Sequence, residues 1–346
     1  MTPERFQEIS AQYSDLRIAI VGDFCLDRYL EIDPARQEIS IETGLPVHNV
    51  TNVRSQPGAA GTILNNLVAL GVGEIYPVGF CGEDGEGYEL RRSLLARRGV
   101  KLDYFVETDL RRTFTYCKPL VMTPGKAPVE LNRLDSKNWT PTPAMLQGRL
   151  IDCVGRLAAQ VDAMILMDQV DIPETGVVTS KVLEAIGAVV KELPELMILA
   201  DSRRGLRGYP RVALKMNAAE LAALTGSGTK LDIAAIQQSA AALAREKDRP
   251  VFVTLAERGV VCASPWTEPA HVPALPVRGE IDIVGAGDSV TANLTAALAS
   301  GATLREASEI AMAASSIVIH QLGTTGTASV PQIAELLEAS GGNKSS

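Results

Sequence analysis

The residues best suited to chemistry lie in the stretch from Asp282 to Asp288, which reads Asp-Ile-Val-Gly-Ala-Gly-Asp. It combines two glycines with a carboxylate directly before an apolar segment. Val290, Leu294 and Leu298 recur every four residues there, which predicts a helix that begins at the glycines and ends at Gly301. The stretch is therefore expected to form the first turn of a helix.

The start of a helix has unpaired N–H groups and a partial positive charge, so it favours anionic oxygen. Gly285, Ala286 and Gly287 leave these groups uncovered, which predicts an anion cradle. Asp288 stands beside the cradle, where it can accept the proton of an attacking hydroxyl during phosphoryl transfer. The alternative is that Asp288 only caps the helix and the glycines only form a turn.

A second group of carboxylates follows the first apolar segment, Leu16 to Val21, which predicts a buried strand. Asp23 and Asp27 come directly after it. Because ligands bind beyond the carboxyl ends of strands in open α/β sheets, both are placed to hold sugar hydroxyls. An ordinary polar loop is the alternative. No Gly-x-Gly-x-x-Gly follows this strand, which removes the main support for a dinucleotide site.

Alternating strands and helices must position these residues. After Pro143 the pattern alternates between the two, which predicts a parallel sheet, and one strand ends at Asp168. Segments at about 30–56 and 112–135 favour extended strands instead, and we expect them to form a small β-rich lid. Gly58 and Ala59 open a helix that carries Asn66.

Composition excludes several classes of protein. The chain has 346 residues, of which 46% are hydrophobic, a formal charge of −8 and a pI near 5.1, which speaks against binding nucleic acid or a membrane surface. No apolar run reaches membrane-spanning length and the start does not read as a signal peptide, so we expect a cytoplasmic protein. Five scattered cysteines indicate neither a disulfide framework nor a zinc site.

The order of these motifs resembles the PfkB/ribokinase superfamily of carbohydrate kinases along roughly the whole chain. The family's Asp-Thr-x-Gly-Ala-Gly-Asp signature matches Asp282 to Asp288, with Ile283 in place of Thr. Its Asn-x-x-Glu motif matches Asn217 and Glu220, and its glycine pair near the sugar matches Gly58 and Ala59.

Within the superfamily the chain is most similar to the heptose-7-phosphate kinase branch. The stretch from Gly22 to Tyr29, the segment from Ile39 to Val47, Arg133 to Asp135, and Leu166 with Asp168 all resemble that branch. Its usual residues are replaced at several places, with Thr62 for Asn, Ala256 for Gly, Gln169 for an aromatic residue and Met312 for Asn.

The resemblance implies a fold and a set of roles. The fold is ribokinase-like, with a mostly parallel central sheet flanked by helices on both faces, in one kinase domain over 1–340 followed by a flexible tail over 341–346. The ligands are ATP, Mg²⁺ and a monovalent cation such as K⁺, and the protein is a homodimer through the lid. The implied roles are Asp288 as catalytic base with Gly285, Ala286 and Gly287; Asp23, Asp27, Gly58, Ala59, Asn66 and Asp168 for the sugar; Asn217, Glu220, Thr254, Ala256, Gly259 and Met312 for the nucleotide; Asn217 and Glu220 near Mg²⁺ through water; and Asp282 for the monovalent cation.

We therefore expect an ATP-dependent kinase acting on a hydroxyl of a sugar or sugar phosphate. Two alternatives stay open at this point. One is a nucleoside or other small-alcohol kinase of the same superfamily, and the other is a non-catalytic sugar or nucleotide sensor. The sequence leaves open whether the acceptor already carries a phosphate. Arg28, Arg133, Lys181, Arg203 and Arg204 are the basic residues considered for such a pocket.

Overall fold

A central sheet with helices on both faces organises the chain in the computed structural model, which describes residues 1–228, 232–323 and 325–342. The helices are α1 (Pro3–Ser10), α2 (Ala60–Leu70), α3 (Gly85–Leu95), α4 (Ala144–Ala158), α5 (Ser180–Glu192), α6 (Ala218–Thr225), α7 (Ile233–Lys247), α8 (Ala286–Ala299), α9 (Leu304–Val318) and α10 (Val330–Gly342). The strands are β1 (Arg17–Gly22), β2 (Phe24–Ile32), β3 (Glu38–Ile39), β4 (Pro46–Val47), β5 (Val50–Ala59), β6 (Glu74–Gly82), β7 (Phe105–Thr108), β8 (Phe114–Val121), β9 (Val129–Glu130), β10 (Ala163–Asp168), β11 (Met197–Ser202), β12 (Ala213–Asn217), β13 (Val251–Thr254), β14 (Val260–Ala263) and β15 (Ala270–Val272).

The central sheet has the order β15-β14-β13-β12-β11-β10-β1-β6-β7. From β7 to β13 every neighbouring pair is parallel, while β14 and β15 add antiparallel strands at one edge. This arrangement confirms the predicted α/β class. Because parallel strands end at the same edge, residues after β1, β10, β11, β12 and β13 meet there.

Two hydrophobic cores lie on opposite faces of this sheet. Along β1, Ile18 and Ile20 pack into one core and Ala19 and Val21 into the other. Successive side chains of a strand point to opposite faces, so a strand buried on both faces reads as a continuous apolar run. That burial explains the absence of alternation in Leu16 to Val21.

The lid is a mixed sheet in the order β5-β2-β8-β9, with the hairpin β3-β4 beside it. Its first strand starts at Phe24, earlier than the predicted position near residue 30. Asp27 therefore lies in a lid strand, and the polar-loop alternative is wrong for it. Directly paired residues share a face of a sheet, so Asp27 shares one with Gln56 and Tyr116.

The end of the chain is helical as far as Gly342, so the first two residues of the predicted tail belong to α10. Residues 343–346 lie outside the described residues. In the described part of the chain, none of the helices combines the length and apolar character needed to cross a membrane.

Candidate active site

Helix α8 begins after Gly285, whose φ of 81° sets its N-cap in the left-handed region. The N–H of Ala286 donates to the carbonyl of Ile283 at 3.2 Å. Among the described residues the amides of Gly287 and Asp288 have no acceptor. The predicted cradle therefore has different members: Ala286 closes the turn, and the free N–H groups belong to Gly287 and Asp288.

Asp288 is half-buried in the cleft at this turn, and its carboxylate has no hydrogen-bond partner among the described residues. The pKa of Asp288 is raised to about 7, mainly by burial and also by Asp201 and Asp27, while Lys215 lowers it. A carboxylate with a pKa near the working pH is suited to general base catalysis, because it is available unprotonated yet basic enough to accept a proton.

A cavity of about 790 Å³ adjoins the first turn of α8. Five of the six predicted nucleotide residues line it: Asn217, Thr254, Ala256, Gly259 and Met312. Apolar side chains that the sequence did not single out complete its walls, and they include Leu275, Val277, Ile281 and Ile319. An apolar cavity that opens onto unpaired amides fits a flat base at one end and phosphates at the other.

Asn217 and Glu220 form a reciprocal capping box at the start of α6. Asn217 Oδ1 accepts from the N–H of Glu220 at 2.9 Å, and Glu220 Oε2 accepts from the N–H of Asn217 at 2.7 Å. Burial raises the pKa of Glu220, and Asp201 adds to that shift. Asn217 lines the cavity and Glu220 does not. Both side chains carry oxygen atoms, the ligand type that Mg²⁺ prefers.

Asp27 approaches the backbone of the neighbouring strand at Gly58. A β-carbon on Gly58 would lie 2.4 Å from Asp27 Oδ2, so only glycine allows this contact. Burial raises the pKa of Asp27, while Lys118 and Arg133 lower it. Its carboxylate has no hydrogen-bond partner among the described residues, and it is close enough to Asp288 to raise the pKa of that residue. The two acids are therefore near enough to repel each other.

Cations surround two tyrosines on the same face of the lid as Asp27. Arg54 and Lys118 lie over the ring of Tyr29 at 4.8 and 5.1 Å, and Arg133 and Lys137 lie over Tyr116 at 5.1 and 5.7 Å. Arg54, Arg133 and Lys137 pair with Glu31, Asp135 and Asp171. In the described chain Lys118 has no carboxylate within 4 Å, so its charge is available to a ligand.

Two alanines of the site have backbone angles that favour glycine. Ala59 has φ 54° and ψ −119°, and Ala256 has φ 52°. Both stand where the resembled family has Gly. Such conformations cost an L-residue with a β-carbon on the order of 1–3 kcal/mol each. Ala59 stands at the start of α2, where the sugar is predicted, and Ala256 lines the apolar cavity, where the nucleotide is predicted.

Comparison with known proteins decides the family. The sequence profile described as pfkB family carbohydrate kinase matches residues 17–331. The chain belongs to this family. It is accordingly an enzyme, a carbohydrate kinase that transfers a phosphoryl group to an alcohol.

The similar proteins include bifunctional HldE proteins. The chain is 30% identical to the protein from Bradyrhizobium sp. (strain ORS 278) over 327 residues, which cover 94% of this chain and 64% of that one. It is 32% identical to the protein from Azorhizobium caulinodans over 308 residues, covering 89% and 61%. The chain thus spans less than two thirds of the length of these relatives.

Solved structures support the fold of a pfkB family member. Arabidopsis thaliana ribokinase, solved with ribose and ATP, superposes with a TM-score of 0.64 at 20% identity, covering 93% of this chain and 99% of that chain. Escherichia coli phosphofructokinase-2, solved with substrates and products, gives 0.69 at 18% identity, covering 94% and 99%. Both confirm the ribokinase-like architecture with its lid.

Asp23, predicted to hold sugar hydroxyls, has another role in this structure. Its oxygens accept backbone N–H groups of Gln169 at 2.8 Å, Val170 at 3.2 Å and Val177 at 2.7 Å, and the residue is 2% exposed. A carboxylate occupied by three amides is bound to the protein itself. Asp23 fixes the loop after β10, and we do not retain it among the sugar ligands.

Asp168 and Asn66 are also turned into the protein. Asp168 Oδ2 accepts from Ser202 at 2.8 Å and Arg204 at 2.7 Å, and the residue is 1% exposed. The amide of Asn66 donates to the carbonyl of Thr62 within α2 and the side chain is fully buried. Both side chains are thus buried in the protein, Asp168 bonded to β11 and the residues that follow it and Asn66 bonded to its own helix.

The sequence reasoning missed two groups of residues. One is the set of lid cations around Tyr29 and Tyr116, of which only Arg133 was considered. The other is a buried pair of Lys215 and Asp201 below α8. The signal for the lid was its strand alternation, which places Lys118 two residues after Tyr116 on the same face. The signal for Lys215 was its position two residues before Asn217 at the end of a strand.

Proposed function

We propose that this kinase transfers the γ-phosphoryl group of ATP to a hydroxyl of a sugar phosphate resembling heptose 7-phosphate, with Asp288 as the general base. The observation that carries the proposal is the position of Asp288. It is an unpaired carboxylate with a pKa raised to about 7, mainly by burial; it directly follows Ala286 and Gly287, which line the apolar cavity, and it is close enough to Asp27 of the lid to interact with that carboxylate.

The reaction follows from that position. The acceptor oxygen attacks phosphorus as the bond between the γ-phosphorus and its bridging oxygen breaks, and ADP leaves with that electron pair. The hydroxyl proton passes to Asp288. The N–H groups of Gly287 and Asp288 stabilise the negative charge on the transferred group, since they point at it without having to reorganise.

ATP occupies the apolar cavity in this proposal, with its base toward Met312 and its phosphates toward Gly287. Asn217 and Glu220 would hold Mg²⁺ through water, and the ion would neutralise charge on the phosphates. Asp282 stays our candidate for a monovalent cation. Its Oδ1 accepts from the N–H of Val284 at 3.0 Å, which fixes the carboxylate at the outer side of the turn.

The acceptor lies between Asp288 and the lid. Asp27 accepts hydrogen bonds from its hydroxyls, and Lys118 with Arg133 binds a phosphate at the far end of the molecule. Arg133 forms part of a surface ion pair with Asp135 at 3.0 Å, whereas Lys118 has no such competitor among the described residues. An acceptor without an anionic group would leave that charge unused, so the cationic face favours a sugar phosphate over a neutral sugar.

The test is acceptor-dependent ADP release with a panel of sugars, the corresponding sugar phosphates, nucleosides and small alcohols. We expect turnover with a sugar phosphate and loss of it in Asp288→Asn. Lys118→Met should raise KM for the phosphorylated acceptor about tenfold or more and leave KM for ATP unchanged. Turnover confined to neutral acceptors would contradict the phosphate assignment. No ADP release with any acceptor would favour the sensor alternative.

We further propose a homodimer through the lid. The hairpin β3-β4 and its turn expose Ile39, Ile41 and Leu45 at 59%, 102% and 64%. Apolar side chains grouped this way typically mark an interaction surface. Sedimentation of the wild type should show a dimer, and Ile41→Asp should shift it toward monomer. A wild-type monomer at micromolar concentration would refute the assignment.

A further inference from the structure

A buried ion pair lies beneath the first turn of α8. Lys215, near the carboxyl end of β12, places Nζ 2.7 Å from Oδ2 of Asp201 on β11. Both residues are buried, with 7% and 8% exposure. A lysine at this depth is unusual, because taking an ammonium out of water is costly unless it is paired.

The ammonium of Lys215 lies next to the backbone of Gly287 in the first turn of α8. A β-carbon on Gly287 would lie 3.2 Å from Lys215 Nζ, so the ammonium approaches the backbone of the cradle where no side chain intervenes. Thr291 links the pair to the same turn, since its Oγ1 lies 2.9 Å from Asp201 Oδ2 and 3.1 Å from the carbonyl oxygen of Gly287. The cation is thus fixed beside the unpaired amides.

The hydrogen bonds of the ammonium are incomplete. Lysine carries three N–H donors, and Nζ of Lys215 has one acceptor among the described residues, Asp201. Stability alone gives little reason for this arrangement. A buried ion pair can often be replaced by apolar residues at no loss of stability, because desolvation offsets the attraction between the charges. Donors left over at an anion cradle indicate a ligand that supplies the missing acceptors.

We propose that Lys215 is a catalytic residue whose ammonium contacts the γ-phosphoryl group during transfer. Asp201 is its positioning residue and holds the ammonium in place between turnovers. The inference rests on the proposed function, because it places the phosphoryl group at the α8 turn. Lys215 remains protonated throughout: the proton of the acceptor hydroxyl goes to Asp288, and the bridging electron pair leaves with ADP.

This arrangement predicts that Lys215 stabilises the charge on the transferred phosphoryl group. The developing charge on its oxygens meets the amides of Gly287 and Asp288 and, beside them, the ammonium of Lys215. Removing one preorganised donor of this kind typically lowers kcat about 100- to 1,000-fold. ADP lacks the γ-phosphoryl group, so its affinity should not depend on Lys215. The role of Lys215 can therefore be tested by ligand affinity as well as by kcat.

The variants must separate chemistry from folding. Lys215→Met alone leaves Asp201 buried without its partner, which is strongly destabilising. The double variant Lys215→Met/Asp201→Asn removes both charges together, and the amide oxygen of Asn can still accept from Thr291. Urea denaturation should show the double variant to be more stable than the single one, which establishes that it is folded for the measurements that follow.

We expect the kcat of the double variant to be about 100-fold or more below that of the wild type, with KM for the acceptor unchanged. Calorimetric titration with the non-hydrolysable analogue AMP-PNP should give a Kd raised about tenfold, while Kd for ADP stays at the wild-type value. Lys215→Arg should recover part of the affinity for AMP-PNP. Wild-type kcat and an unchanged ratio of the two affinities in the folded double variant would overturn the inference.

The outcome is distinguishable from a failure of the proposed function. If Asp288→Asn loses activity and the double variant does not, Lys215 is only structural and the assignment of Asp288 stands. If the double variant weakens AMP-PNP but Asp288→Asn retains full turnover, the base is assigned wrongly and the phosphoryl site is assigned correctly.

Discussion

Replacing Asp288 by Asn should make the protein more stable and less active, by amounts that depend on pH. Burial raises the pKa of Asp288 from 3.8 to about 7 in the folded protein. Between pH 3.8 and about 7, Asp288 is therefore protonated in the folded state and ionised in the unfolded state. Stability attributable to this group falls as pH rises from about 4 to 7, and the full cost of the buried charge is present above pH 7.

The magnitude follows from the shift. About three pKa units at 1.36 kcal/mol each give an upper bound of about 4 kcal/mol for the cost of ionised Asp288 at pH 8. Water in the cleft reduces this value, because the residue is half-buried and not sealed. At pH 5 most of the cost is absent, so the stability gain of Asp288→Asn should be under about 2 kcal/mol there and grow by about 2 kcal/mol toward pH 8.

Urea denaturation of ligand-free wild type and Asp288→Asn at pH 5, 6, 7 and 8 measures this difference in the free energy of unfolding. Asp103→Asn removes the same charge at an exposed position and serves as the matched control. Turnover of Asp288→Asn should be lower than wild type by about 100-fold or more, the usual scale for a general base. A stability gap that does not change with pH, or a variant less stable than wild type at pH 8, would refute the assigned environment of Asp288.

Three further predictions concern the walls of the cleft. Ala59→Gly should stabilise the protein by about 1–2 kcal/mol in urea denaturation, because glycine adopts φ 54° and ψ −119° without strain; Ala60→Gly, one residue further into α2, should instead destabilise it by up to about 1 kcal/mol, and equal effects would contradict the strain argument. Gly58→Ala should raise KM for the acceptor about tenfold or more, because its β-carbon would lie 2.4 Å from Asp27 Oδ2; Gly148→Ala, with open space around it, is the control, and an unchanged KM would remove Asp27 from the acceptor site. His320 joins the carbonyl of Ser316 at 2.6 Å to the N–H of Arg278 at 2.8 Å, so it holds together a wall of the apolar cavity in which we propose that ATP binds. His320→Ala should therefore raise Kd for ATP several-fold in calorimetry with acceptor KM unchanged, His48→Ala should not, and equal behaviour of the two would exclude this role.

Local signals determined much of the fold. The short apolar run before Gly22 indicated a buried strand, and the alternation after Pro143 indicated the parallel sheet. Thr303 with Glu306 read as a capping box, and the structure shows both of its hydrogen bonds. These predictions hold because each depends on residues within one or two turns of each other, whose periodicity is fixed by backbone geometry.

The residues predicted from the sequence for the nucleotide were placed together by the structure in part, since five of the six line one cavity. Asn217, Thr254, Ala256, Gly259 and Met312 come from separate segments, and the order of the family motifs was sufficient to group them. The assignments to Asp23, Asp168 and Asn66 were weaker. The sequence does not distinguish a strand-end carboxylate that faces a ligand from one that accepts hydrogen bonds from the N–H groups of the next loop.

Sequence alone thus determined the elements, their order and the acid next to the glycines, because spacing along the chain encodes them. Only the tertiary structure decided which polar groups are satisfied by the protein and which are left for a ligand. Lys215 meets Asp201 and Gly287 across three elements, and Lys118 lies over Tyr29 across two lid strands. Those distances arise from packing between residues far apart in the chain, and the pKa of Asp288 depends on such packing through burial, Asp201, Lys215 and Asp27.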